Sequence, residues 1–119
     1  MNPFTTPDRL FISTAPQDMR AGIQRLASII TTDMCMDPTD GALYVFVSRD
    51  CEKIKMLRFE TNGWAMYYMR LCEGSFKWTH TERELPILSI ERRQLLWLLE
   101  GMEIEQVSAP QPVTASAIL

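Results

Sequence analysis

Lys53, Lys55, Arg58, Arg70 and Lys77 lie among Trp64, Tyr67, Tyr68 and Trp78 in the middle of this 119-residue chain. Cations contact phosphates and flat rings stack on bases, so this mixture could serve a nucleic-acid surface. The plainer use is a sheet whose aromatics pack inside and whose lysines keep a solvated edge from aggregating. Residue types alone favour that plainer use.

Other chemistries find less support. Cys35, Cys51, Cys72 and His80 could supply four metal ligands, but their spacing is irregular and no Cys-x-x-Cys pair occurs. Three cysteines without a framework spacing read as free thiols in a reducing compartment. His80 is the sole histidine, and no nucleophile signature surrounds it, Cys72 or Ser75. Fifteen acids invite a two-metal nuclease reading, yet most stand in turns, caps or the C-terminal end. Gly41, Gly63, Gly74 and Gly101 are isolated turn glycines, so no phosphate loop is present. No catalytic residue, metal or cofactor is expected.

Charge is uneven along the chain. Residues 1–48 set three arginines against five aspartates, while residues 94–119 carry three glutamates and no base. Residues 49–93 hold nine bases against seven acids and are the only net-basic stretch. That is a modest basis for nucleic-acid binding, which usually rests on strongly basic domains. If DNA is touched, the contact is expected through Arg49, Lys53, Lys55 and Arg58, with Arg20 next.

The elements that must position these residues centre on residues 41–78. Three runs, Leu43–Val47, Lys53–Phe59 and Trp64–Leu71, are rich in β-branched, aromatic and Met residues and are parted by short polar turns. Asn62-Gly63 is a strong hairpin signal. The turns leave no room for crossover helices, so the runs should pair as an antiparallel meander. Leu43–Val47 is apolar on both faces and should be central. In the second run, Leu57 and Phe59 share the lysine face, which implies either a partly covered face or a bulge. Ser75–Trp78 reads as a fourth short strand, Arg9–Ser13 as another, and Leu85–Leu88 as a strand or extended lead-in.

A helix is expected over about residues 17–32, with Met19, Ile23, Leu26 and Ile30 on one face, Asp18 near its start and Gly22 within it. A second should start at Ser89 as N-cap, bury Leu95, Leu98, Leu99 and Met102, and end at Gly101. The fold class is therefore α+β: an antiparallel meander of about four to six strands with two helices. Residues 1–8 read as an arm, 9–104 as one domain and 105–119 as a flexible tail. No apolar run reaches the roughly 18 residues a membrane span needs. No signal peptide is seen, so a cytoplasmic location is expected.

Several stretches, in order, resemble a known family. Gln17-Asp18-Met19-Arg20-Ala21-Gly22-Ile23 is similar to the "DMRKGF" opening of the small accessory protein (Orf2-like, TnpB-type) of IS-sixty-six-type insertion sequences. Asp37–Phe46 resembles its "DPxxGxLFVF", Lys53–Leu57 its "DRIKIL", Arg70–Trp78 its "KRLExGxFxWP", and Leu98–Met102 its "LLEGI". The likeness runs from about residue 10 to 103. Where the family often has an arginine-rich turn, this chain has Ser48-Arg49-Asp50-Cys51-Glu52.

The resemblance implies a non-enzymatic accessory role in transposition of a mobile DNA element beside a separate transposase, through protein contacts, DNA contacts or both. It supplies no catalytic residue. The rival expectations are a direct DNA-binding module and a hydrolase or nuclease with an unrecognised site.

Overall fold

The computed structural model describes residues 9–80 and 85–104. The expected arm and tail lie outside those residues. In chain order the elements are β1 (Leu10–Ser13), α1 (Ile23–Thr32), β2 (Leu43–Val47), β3 (Lys53–Glu60), β4 (Gly63–Arg70), β5 (Ile87–Ile90) and α2 (Arg92–Leu99). The strands form one five-stranded sheet in the order β4-β3-β2-β1-β5.

The meander β2-β3-β4 is antiparallel, as the short turns require. The sheet as a whole is mixed, because β1 pairs parallel with β2. The chain leaves β1, runs through α1 and re-enters beside β1 in the same direction, and a connection of that length permits parallel pairing. β2 is central and all five of its residues are buried. Its Leu43, Val45 and Val47 join Leu10, Ile12 and Ile54 against Leu95 and Leu98 of α2. Tyr44 and Phe46 join Leu57 against Leu26, Ile29 and Ile30 of α1. The helices thus cover opposite faces of the sheet.

β3 and β4 pair without interruption from Lys53–Arg70 to Glu60–Gly63. No bulge is needed: the lysine face of β3 is simply covered part-way along. The two-residue turn is Thr61-Asn62, one position before the Asn-Gly signal, and Gly63 already pairs with Glu60. Thr61 adopts φ +37° to allow it. This register sets Phe59 against Trp64, edge-to-face at 4.9 Å, and such a cross-strand aromatic pair favours it over its neighbour.

Several boundaries differ from the sequence expectation. α1 starts at Ile23, with Gly22 as its N-cap in an extended conformation, so Gly22 is not a helix-interior glycine. Asp18 sits before the helix and folds its carboxylate onto the Arg20 N–H at 2.9 Å. Met19 is therefore in a turn, half-buried beside the helix stripe. α2 is capped by Glu91 in a capping box with Gln94, whose Oε1 accepts from the Glu91 N–H at 2.8 Å. Ser89 is held in β5 opposite Phe11 and cannot serve as cap. Gly101, at φ +83°, ends α2 as expected. Met102 is exposed because it follows that glycine and leaves the helical stripe.

Ser75–Trp78 is not a strand. It is a strap that buries Phe76 and Trp78 in the α2-side core. The strap is tied to the β2–β3 turn: the Phe76 N–H donates to the Cys51 carbonyl at 2.6 Å, and Cys51 Sγ donates to the Trp78 carbonyl at 3.1 Å. His80 Nε2 donates to the Ser48 carbonyl at 2.8 Å and closes the strap. No helix among the described residues is long and apolar enough to cross a membrane.

Candidate functional site

The β2–β3 turn and the loop before α1 face each other across the β4 end of the sheet. Between them lies an open cleft of about 830 Å³, lined by Asp18, Arg20, Arg49, Asp50, Lys53 and Tyr68 among others. Two stretches about thirty residues apart in sequence supply its walls, and β4 supplies Tyr68.

Each wall is stiffened by a carboxylate. On the loop side, Arg20 grips Asp18 in a two-pronged pair, Nε to Oδ1 at 3.1 Å and Nη2 to Oδ2 at 2.7 Å. That pair, the side-chain bond first and the Arg20 backbone N–H second, lowers Asp18 to about 2. Arg20 is nonetheless 92% exposed and presents its remaining N–H groups outward.

On the turn side, Asp50 accepts from the Ser48 hydroxyl at 2.6 Å, the Glu52 N–H at 3.0 Å and Lys53 Nζ at 2.9 Å. These bonds, Ser48 first, hold its carboxyl well below the usual range. Arg49 projects from the same turn, exposed and without an ion pair among the described residues.

The structure therefore brings Arg20, Arg49 and Lys53 together and directs Lys55 and Arg58 elsewhere. Lys55 is only 9% exposed; its Nζ donates to the Ala21 carbonyl at 2.9 Å and lies 5.7 Å from the Tyr68 ring centroid. It ties β3 to the approach of α1. Arg58 alternates onto the opposite face and is 2% exposed, with Nη2 2.7 Å from Glu60 Oε2. A buried charge of this kind is held by its partners and serves the fold.

Asp18 and Asp50 belong to the site although sequence reasoning did not place them there. The available signal was short-range: Asp18-Met19-Arg20 and Ser48-Arg49-Asp50 are the spacings at which a side chain folds back on a neighbouring N–H.

Chemically, the cleft offers three cations beside a half-exposed ring. Both carboxylates are ionised and engaged near neutral pH, so neither is poised to take up a proton as a general base there. The arrangement suits binding an anion next to a flat group better than bond cleavage.

Residues 8–109 match the protein family described as "IS66 Orf2 like protein". The chain belongs to this family. Two curated relatives come from Sinorhizobium fredii. The uncharacterised protein y4hO is 32% identical over 95 residues, covering 80% of this chain and 81% of the relative. The uncharacterised protein y4jC is 25% identical over 68 residues, covering 57% of this chain and 58% of the relative. No solved structure matches the chain. Within this IS66 Orf2-like chain, Gln17–Ile23, the stretch most like the family's opening motif, forms the loop wall of the cleft and the entry to α1.

Proposed function

We propose that this IS66 Orf2-like protein is a non-enzymatic accessory factor that assists transposition by contacting the phosphate backbone of the element's DNA at the cleft. One observation carries the reading: Arg20, Arg49 and Lys53, distant in sequence, converge on one cleft beside Tyr68. Phosphate contacts position a protein on DNA without reading sequence. Sequence choice then falls to a partner, for which the transposase of the same element is the natural candidate. Asp18 and Asp50 fix the geometry of two of the three cations and also limit the net positive charge, so affinity should be low for one cleft alone.

The test is a fluorescence-anisotropy titration with element-end duplex at several salt concentrations. Three phosphate contacts give a slope of roughly −3 in log K against log salt. Arg20→Ala/Arg49→Ala/Lys53→Ala should abolish binding while the thermal melt stays near that of the wild type. Absence of binding at low salt, with and without the transposase, would defeat the DNA reading.

A further inference from the structure

The two edges of the sheet are protected very differently. β5, the edge beside β1, has four residues and is entered from Pro86. β4, the edge beside β3, has eight residues, no proline and no bulge. It exposes Met66, Tyr68 and Met69. A long, regular edge with exposed apolar side chains invites another strand, and most proteins blunt such edges.

The hydrogen-bond phase of β4 follows from one contact. The Leu71 N–H donates to the Glu52 carbonyl on the β3 side at 2.9 Å. Antiparallel ladders alternate, so Met69, Tyr67, Ala65 and Gly63 also turn their backbone groups toward β3. Trp64, Met66, Tyr68 and Arg70 turn theirs outward. These outward residues are spaced evenly about Tyr67.

We infer that β4 is a self-association edge, at which two copies of this chain pair antiparallel about a two-fold axis at Tyr67. In that register each outward residue meets another of the set. Met66 lies opposite Tyr68 of the second copy, a sulfur–aromatic pair. Arg70, the only charge in β4, lies opposite Trp64 of the second copy, where a cation meets an indole face. The two Arg70 side chains stand about 20 Å apart, six residues along the strand, so no like charges meet.

The backbone donors and acceptors on both edges are satisfied in one ten-stranded sheet. A single strand pair lies at the small end of stable interfaces, below about 1,200 Å², so the dimer forms in proportion to concentration. Such an axis keeps both clefts on one face of the joined sheet. This inference stands apart from the DNA reading, because association is measured without nucleic acid.

Sedimentation velocity across about a hundredfold range of protein concentration should show the mass rise from monomer toward dimer. Met66→Pro removes an outward N–H and obstructs a second strand, and should weaken association at least about tenfold; an edge strand accepts proline where its N–H faces solvent, so the thermal melt should change little. A dimer that persists in this variant overturns the proposal, as does a wild type that stays monomeric throughout.

Register is read by cross-linking, with the exposed Cys35 and Cys72 replaced by Ser. Tyr67→Cys lies opposite itself at about 4.5 Å between Cα atoms and should form an intermolecular disulfide on mild oxidation. Ala65→Cys lies opposite Met69 of the second copy and should not. Cross-linking through Ala65→Cys but not Tyr67→Cys would overturn the two-fold at Tyr67.

Discussion

The bases inside the fold and the bases on the cleft rim look alike in sequence and behave oppositely in space. Lys55 and Arg58 stand two and five residues after Lys53, yet one holds the Ala21 carbonyl and the other is enclosed on the α2 side. Lys53, Arg49 and Arg20 reach solvent. The difference comes from what each position meets: Lys55 reaches the Ala21 carbonyl just before α1, Lys53 is held by Asp50 at the β2–β3 turn, and strand alternation sends Arg58 to the other face. Position in the fold, rather than residue type, separates a structural base from an available one.

The sharpest way to break this comparison is Arg58→Ala. Arg58 is 2% exposed and its partner Glu60 19%, so the change empties a buried site and leaves a part-solvated charge, which should cost about 3–5 kcal/mol in chemical denaturation. A loss below about 1 kcal/mol would place Arg58 with the rim residues. Leu98→Ala calibrates that effect with an uncharged residue on the same side of the sheet. Leu98 is 0% exposed and should cost about 2–5 kcal/mol, with the partly buried Leu99→Ala costing less. Equal costs for the two would mean that α2 is rotated about its axis.

Lys55→Ala should fall between the groups, at about 1–3 kcal/mol, since it leaves the Ala21 carbonyl without its donor. Lys53→Ala and Arg49→Ala should each shift stability by at most about 0.5 kcal/mol. On duplex DNA, each should instead reduce the salt slope by about 0.9. A rim substitution that destabilises as Lys55→Ala does would erase the distinction.

The smallest effect is an acid one. Asp18 is held at about 2 against an ordinary 3.8 by Arg20. A depressed carboxylate contributes above its unfolded value, and that contribution is lost as pH falls from about 4 to about 2. The pair is exposed, so the contribution is slight and salt-screened. NMR titration of the Asp18 carboxyl should show the low value, and Arg20→Ala should return it toward the ordinary one. An unchanged titration in that variant would remove Arg20 as the clamp.

The meander was legible because its cause is local. Alternation and short turns permit only antiparallel neighbours for Leu43–Val47, Lys53–Phe59 and Trp64–Leu71, and a strand apolar on both faces must be central. The α1 stripe at Leu26 and Ile30 and the Gly101 stop were legible for the same reason, as was the family, whose motifs are stretches of sequence. The parallel β1–β2 pairing, the strap that replaces a strand at Phe76–Trp78, and the cleft depend on which distant segments meet.

Glu91 replaced Ser89 as cap because β1 claimed Ser89 for its ladder, and Thr61-Asn62 formed the turn because Phe59 sought Trp64. Pattern along the chain determined which elements form and which way they face. The tertiary structure decided which of five similar bases remain at the surface, because burial depends on the coverage that neighbouring elements provide, and no residue carries that coverage in its own type.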